Sequence, residues 1–269
     1  MKESIRESRH LSDSTFLLCL VILGGTYVLL IVAVLAANFF YTTPGHICHA
    51  FSSPEIRYAV RLSLLSSSLT AILSLWVAVP LGYLLSRFSF PGKTLVETLL
   101  DIPIVLPPLI IGLSLLILFQ TSVGKAVERL LPVTFAVPSV VLAQFAVAAA
   151  FAVQTMRVTF DQISTRREEV ALTLGCSRSQ AFWWVVVPEA RRGIITAGTL
   201  SWARALGEFG PVLVFSGATR MRTEVLPTSV FLELSVGNLH GATAVSLLMV
   251  LAAMVVLVIV RVFGRGKTA

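Results

Sequence analysis

Six apolar stretches divide the chain, at about 16–40, 62–86, 98–120, 133–156, 193–216 and 239–263. Each is long enough to cross the hydrocarbon core of a bilayer, which takes roughly 20 residues as a helix. Lipid offers no water to bond exposed backbone groups, so each stretch is predicted to be helical. The fold class that follows is all-α, a polytopic membrane protein of about six transmembrane helices. It divides into an N-terminal segment, 1–15, a first helix over 16–40, a core of five helices over 57–263 and a tail, 264–269. The core contains one long polar loop, 157–192. The first apolar run is too long for the short core of a secretory signal and lacks a small-residue cleavage site, so it is predicted to be retained.

Composition agrees: 56% of the residues are hydrophobic and 13% charged, against about 25% charged in average soluble chains. The basic residues give orientation. An even number of spans puts both termini on one side, together with 87–97 and 157–192. Fourteen of the 21 Lys and Arg lie there. Six lie opposite, Arg57, Arg61, Lys125, Arg129, Arg220 and Arg222, and Arg204 falls inside a span. Positive charge collects on the cytoplasmic side, so both termini and 157–192 are predicted to be cytoplasmic. The net charge of +7 is then a topology signal, with no nucleic-acid partner implied.

Within the polar loop, "STRREEVALTLG" and "SRSQAFWWVVVP" predict a helix, a tight turn and a second helix. Thr165 with Glu168, and Ser177 with Gln180, have the spacing of capping boxes. Gly175 supplies the left-handed residue that stops the first helix. Pro188 lacks the amide needed to continue the second. Ten residues cannot span, so the pair is predicted to lie at the cytoplasmic face. Val170, Ala171 and Leu174 give the first helix a small apolar side flanked by Arg166, Arg167, Glu168 and Glu169, and Trp183 and Trp184 suit the membrane interface. Physics alone leaves two readings, a plain amphipathic connector or a docking element that fits a groove on a partner.

Other chemistry is sparse. Cys19, Cys48 and Cys176 fall in different compartments on this topology, so no intrachain disulfide is expected. His46, Cys48 and His49 carry metal-binding side chains but have no fourth ligand or acidic cluster nearby, and an ordinary exposed loop accounts for them better. "FSFPGKTL" ends like a phosphate-binding loop, yet Arg87 stands where its first glycine belongs, and a link between spans follows no strand. ATP, if used, is bound by another chain. No HExxH, GxSxG or pair of intramembrane carboxylates is present, as an embedded enzyme would require. No internal repeat of the kind found in secondary carriers is visible.

Three features mark the spans. Pro103, Pro107 and Pro108 disrupt hydrogen bonding in the third, either as a static kink or where a pathway opens. Ser63, Ser67, Thr70, Ser74, Ala78 and Gly82 share one face of the second and favour close helix packing. Arg204 and Glu208 form an oppositely charged pair in the fifth. Charge at that depth is functional by default, and because Glu208 would neutralise Arg204, a brace is favoured over an anion guide.

"EEVALTLGCSRSQAFWWVVVP" resembles the cytoplasmic-loop motif of permease subunits of ABC importers. That motif has a glutamate, two alanines, a glycine six positions after the glutamate, and an aliphatic ending closed by proline. Here these positions are Glu169, Val170, Ala171, Gly175 and Val185 to Pro188. "RFSFPGK", "DIPIVLPPLIIGLSLLILF" and "ARALGEFGPVLVFSG" are similar to the molybdate, tungstate and sulfate branch, so the resemblance runs from about residue 57 to the end. It implies an oxyanion importer in the prokaryotic cytoplasmic membrane, with an ABC permease for another substrate class as the alternative. Glu169, Val170, Ala171, Leu174, Gly175 and Pro188 would belong to a coupling helix that engages an ATP-binding subunit dimer. Arg204, Glu208, Pro107 and Pro108 are the pathway or brace candidates. Further partners would be an extracytoplasmic binding protein, a second permease copy and membrane lipid. No catalytic residue, metal or cofactor is implied in this chain, since hydrolysis would occur in the partner.

Overall fold

A computed structural model describes residues 2–42, 45 and 52–264; His46, Cys48 and His49 lie outside the described residues. Among those described, every regular element is helical. Four helices are continuous: α1 (Lys2–Tyr41), α2 (Pro54–Arg87), and two further along the chain, Val137–Gln162 and Leu239–Gly264. Each contains a segment long and apolar enough to cross a membrane.

The other two apolar stretches are interrupted, the third where its prolines announced a disruption and the fifth where no break was expected. The third divides into α3 (Lys93–Val105) and α4 (Pro108–Gln120), bent by 113°. Pro103 stays inside α3. The break lies instead at Leu106 (φ −66°, ψ 141°) and Pro107 (φ −54°, ψ 129°). Each precedes a proline, whose ring pushes the residue before it out of the helical region. A single proline removes one bond and can be absorbed, whereas two in succession force two extended residues. Short α5 (Ser122–Leu130) then leads to α6 (Val137–Gln162).

The polar loop carries α7 (Thr165–Thr173) and α8 (Arg178–Ala181), a π-helical turn at Phe182–Val186 and a last turn at Val187–Glu189. The fifth stretch is α9 (Arg191–Leu206), an interruption at residues 207–209, and α10 (Gly210–Ser216). Finally, α11 (Leu226–Ser235) precedes α12 (Leu239–Gly264).

The packed face of α2 is inverted relative to a helix of a water-soluble protein. Ser63, Ser66, Ser67, Thr70, Ser74, Ala78 and Gly82 are buried on α2, while its Leu65, Ile72 and Trp76 are exposed. Lipid is as apolar as leucine, so helices gain by bringing small faces together instead of hiding large ones. Two of the buried hydroxyls find partners nearby, Ser67 donating to the Ser63 carbonyl at 2.7 Å and Thr70 to Gln144 Oε1 at 3.2 Å. A Cβ at Gly82 would lie 2.8 Å from Met156 Cβ and 2.9 Å from the Arg157 nitrogen. Gly82→Leu is therefore expected to push α2 from α6, costing about 1–3 kcal/mol as other overpacked cores do, and to lower the melting temperature in detergent. An unchanged melting temperature would contradict this close crossing.

Candidate functional site

The hairpin between α6 and α9 is built by short-range rules. Ser177 accepts from the Gln180 amide at 3.2 Å while the Gln180 side chain accepts from the Ser177 amide at 2.8 Å, so the second capping box forms. Gly175 takes φ +91°. Around it the Cys176 amide reaches back to the Ala171 carbonyl at 3.1 Å and the Gly175 amide to Leu172 at 3.0 Å. That is the double closure of a left-handed helix stop.

Three expectations are corrected. The Thr165/Glu168 box does not form: Ser164 stands at the helix cap without a side-chain bond, because the Glu168 carboxylate is turned toward Tyr83 and Arg87. Pro188 does not end the second limb, which continues to Glu189 and kinks at Ala190. The missing Pro188 amide is accommodated upstream by a π-turn, where the Val187 amide bonds Phe182 five residues back; such bulges absorb local strain in a helix. Finally, Val170, Ala171 and Leu174 do not share one exposed face. Ala171 is buried, while Val170 and Leu174 are exposed one turn apart, beside exposed Glu169. Trp183 and Trp184 are also exposed.

Beneath the hairpin lies a group of residues that motif reading missed. The Tyr83 hydroxyl donates to Glu168 Oε1, and Arg87 Nε lies 3.5 Å from Glu168 Oε2. Arg87 Nη2 also donates to the Ile163 carbonyl at 2.8 Å. Arg167 pairs with Glu189 across the two limbs. Arg157 pairs with Glu97 at 3.0 Å, tying α6 to α3. In sequence neither Arg87 nor Glu168 was marked as a partner of the other; no local pattern distinguishes Glu168 from Glu169.

A second constellation lies where the broken helices meet. Arg204 Nη1 is 2.6 Å from Glu208 Oε2. Glu208 does not continue α9; it sits in the interruption after the α9 cap, Gly207, and is 1% exposed. The Arg204 guanidinium lies over the Phe151 ring, 5.7 Å from its centroid. The helices that follow the two interruptions, α4 and α10, also touch one another: a Cβ at Gly112 would fall 2.7 Å from Pro211 Cα, and one at Gly210 would fall 3.1 Å from the Leu109 nitrogen. Pro108 thus packs beside Gly210, whereas Pro107 supplies the extended residue that brings α4 there. From Phe151 toward the hairpin, α6 and α9 leave an open groove of about 720 Å³, lined by Gln154, Thr155, Thr159, Arg192 and Thr196 among others.

Residues 78–268 match the family described as the inner membrane component of binding-protein-dependent transport systems. The chain belongs to that family. The matched region takes in the hairpin and both broken helices. Members are transporter subunits, not enzymes, and this one is a multi-pass protein of the prokaryotic inner membrane.

Among its relatives is the molybdate/tungstate transport system permease protein WtpB of Thermococcus kodakarensis, 34% identical over 193 residues, 71% of this chain and 74% of that one. The sulfate transport system permease protein CysT of Escherichia coli is 30% identical over 209 residues, 77% and 76% of the two chains. The molybdenum transport system permease protein ModB of the same organism is 32% identical over 206 residues, 75% and 90%. The fold is shared with the bacterial alginate ABC transporter crystallised with a pentasaccharide-bound periplasmic protein, at a TM-score of 0.75 and 17% identity, covering 96% of this permease and 95% of that chain.

Proposed function

We propose that this permease carries an oxyanion, molybdate, tungstate or sulfate, delivered by an extracytoplasmic binding protein and driven by a separate ATP-hydrolysing dimer. The similarity to oxyanion permeases across about three-quarters of the chain carries the substrate class. The stopped and capped hairpin, with Val170 and Leu174 exposed beside Glu169, supports the coupling role. Paired apolar side chains one turn apart, ringed by charge, are what a helix offers to a groove.

The topology that goes with this reading has six crossings and cytoplasmic termini, the two broken stretches each counting as one crossing. The core is 57–263, preceded by the helix at 16–40 and followed by a short tail. A second copy would cover the α6–α9 groove, whose threonines and glutamine would then face an enclosed polar pathway. The Arg204–Glu208 pair braces the interruption beside that groove.

Two measurements test the reading. In proteoliposomes holding the permease with its ATPase and binding protein, one of the three labelled oxyanions should accumulate only with ATP and the binding protein. Uptake without either component, or uptake of none of the three, would refute it. For orientation, single-cysteine variants should be labelled at position 176 only from the cytoplasm and at position 48 only from outside; the reverse pattern would overturn the assigned topology.

A further inference from the structure

The hairpin is joined covalently to α6 and α9, but its closest side-chain anchors come from a helix remote in sequence. Tyr83 and Arg87 stand one turn apart at the inner end of α2. Tyr83 bonds Glu168 on the first limb through its hydroxyl, and its ring lies 4.6 Å from that of Phe182 on the second limb and 5.7 Å from Phe160 on α6. Arg87 pairs with the same Glu168 and also holds the Ile163 carbonyl, at the hinge where α6 passes into the hairpin. The Arg87 and Glu168 side chains are only 9% and 13% exposed. One turn of α2 therefore grips both limbs and their hinge.

The other end of α2 is held as well. The Tyr58 hydroxyl donates to the Arg222 carbonyl at 2.9 Å, and the Leu226 amide donates to Ser63 Oγ at 2.7 Å. Arg222 lies in the segment between α10 and α11 and Leu226 is the first residue of α11, both on the side assigned as extracytoplasmic. Between these ends α2 is one helix of 34 residues, roughly 50 Å long at 1.5 Å per residue. Pro80 removes one backbone bond without breaking it. The tight Gly82–Met156 crossing leaves little room for α2 to slip independently of α6, since close-packed interiors transmit displacement more readily than they absorb it.

We propose that Tyr83, Arg87 and Glu168 form a clamp through which α2 carries displacement between the cytoplasmic hairpin and the extracytoplasmic segment at Arg222–Leu226. Glu168 is the positioning residue at its centre. It faces inward, while its neighbour Glu169 faces out to the partner. The clamp rests on the reading of the hairpin as the ATPase-docking element. It adds that docking and transmission use different residues, so they separate by mutation. Glu168→Ala or Arg87→Ala leaves the exposed Val170, Leu174 and Glu169 in place but loosens their connection to α2. Tyr83→Phe keeps the aromatic packing and removes only the hydroxyl bond.

The test uses permease, ATPase and binding protein reconstituted together. Glu168→Ala and Arg87→Ala should still co-purify the ATPase, while stimulation of hydrolysis by loaded binding protein falls roughly tenfold, the scale of typical coupling between sites. Tyr83→Phe should fall less. The exchanged pair Arg87→Glu with Glu168→Arg should regain part of the stimulation lost in either single reversal, a recovery that general destabilisation does not produce. Undiminished stimulation in Tyr83→Phe and both alanine variants overturns the clamp, as does an exchanged pair no better than the single reversals. If Glu169→Lys and Gly175→Val also leave the ATPase bound and stimulated, the docking reading itself fails. If those two uncouple while the clamp variants do not, only the clamp fails.

Discussion

Gly175→Val should abolish productive coupling while leaving the protein inserted in the membrane. Gly175 holds φ +91°, a conformation that costs a residue with a side chain about 1 kcal/mol or more, and a β-branched one more still. A Cβ there meets nothing within 4 Å, so the penalty within this chain is backbone strain, not collision. Relieving it requires the turn to unwind, which breaks the Cys176-to-Ala171 and Gly175-to-Leu172 bonds and re-aims Val170 and Leu174 relative to the second limb. Glu169→Lys attacks the same function by another route, placing repulsion where a basic group on the ATPase would find attraction. Both variants lie outside the spans and should reach normal levels in the membrane. Co-purified ATPase and hydrolysis stimulated by loaded binding protein should both fall by roughly tenfold or more, a change of about 1.4 kcal/mol in the docking equilibrium. Full retention of both by both variants would reduce the hairpin to a connector.

The Arg204–Glu208 pair gives the second large effect. Glu208 is 1% exposed and Arg204 is about one-third exposed, so the two single replacements should not be equivalent. Arg204→Ala strands a buried carboxylate, and breaking a buried pair from one side costs on the order of 3–5 kcal/mol. Glu208→Ala leaves a guanidinium that still lies over Phe151 and is partly exposed, and should cost less. The double alanine variant removes both charges and should melt above Arg204→Ala. Thermal unfolding and size-exclusion profiles in detergent read this order directly. If Arg204→Ala assembles normally but abolishes oxyanion uptake while Glu208→Ala transports, the pair is no brace and Arg204 acts on the anion.

What could be read in the chain has a common property: it depends on neighbours in sequence. Apolar runs announce membrane helices because the bilayer acts on each segment separately. Gly175 and the Ser177/Gln180 box were legible because a helix end is satisfied within six residues. The small face of α2 was visible as a periodic stripe, and the hairpin motif as a fixed spacing.

Tertiary structure decided what depends on residues far apart. Glu168 and Glu169 are chemically identical neighbours, and only the approach of α2, 85 residues earlier, turns one inward onto Tyr83 and Arg87 and leaves the other exposed. That approach also removed the predicted cap at Thr165, because a carboxylate satisfied by an arginine and a phenol is not available to its own helix end. Ala171 looked like part of a docking face until the second limb buried it. Pro107 and Pro108 announced a break, but not that the helix after it would pack against Gly210 and Pro211, where α10 begins after a second break. Local sequence fixes where a chain must turn, stop or stay apolar, since those energies are set within a helical turn or two. Which charge meets which partner is settled only when distant helices pack, because a buried charge takes whichever counter-charge the assembled fold brings within reach.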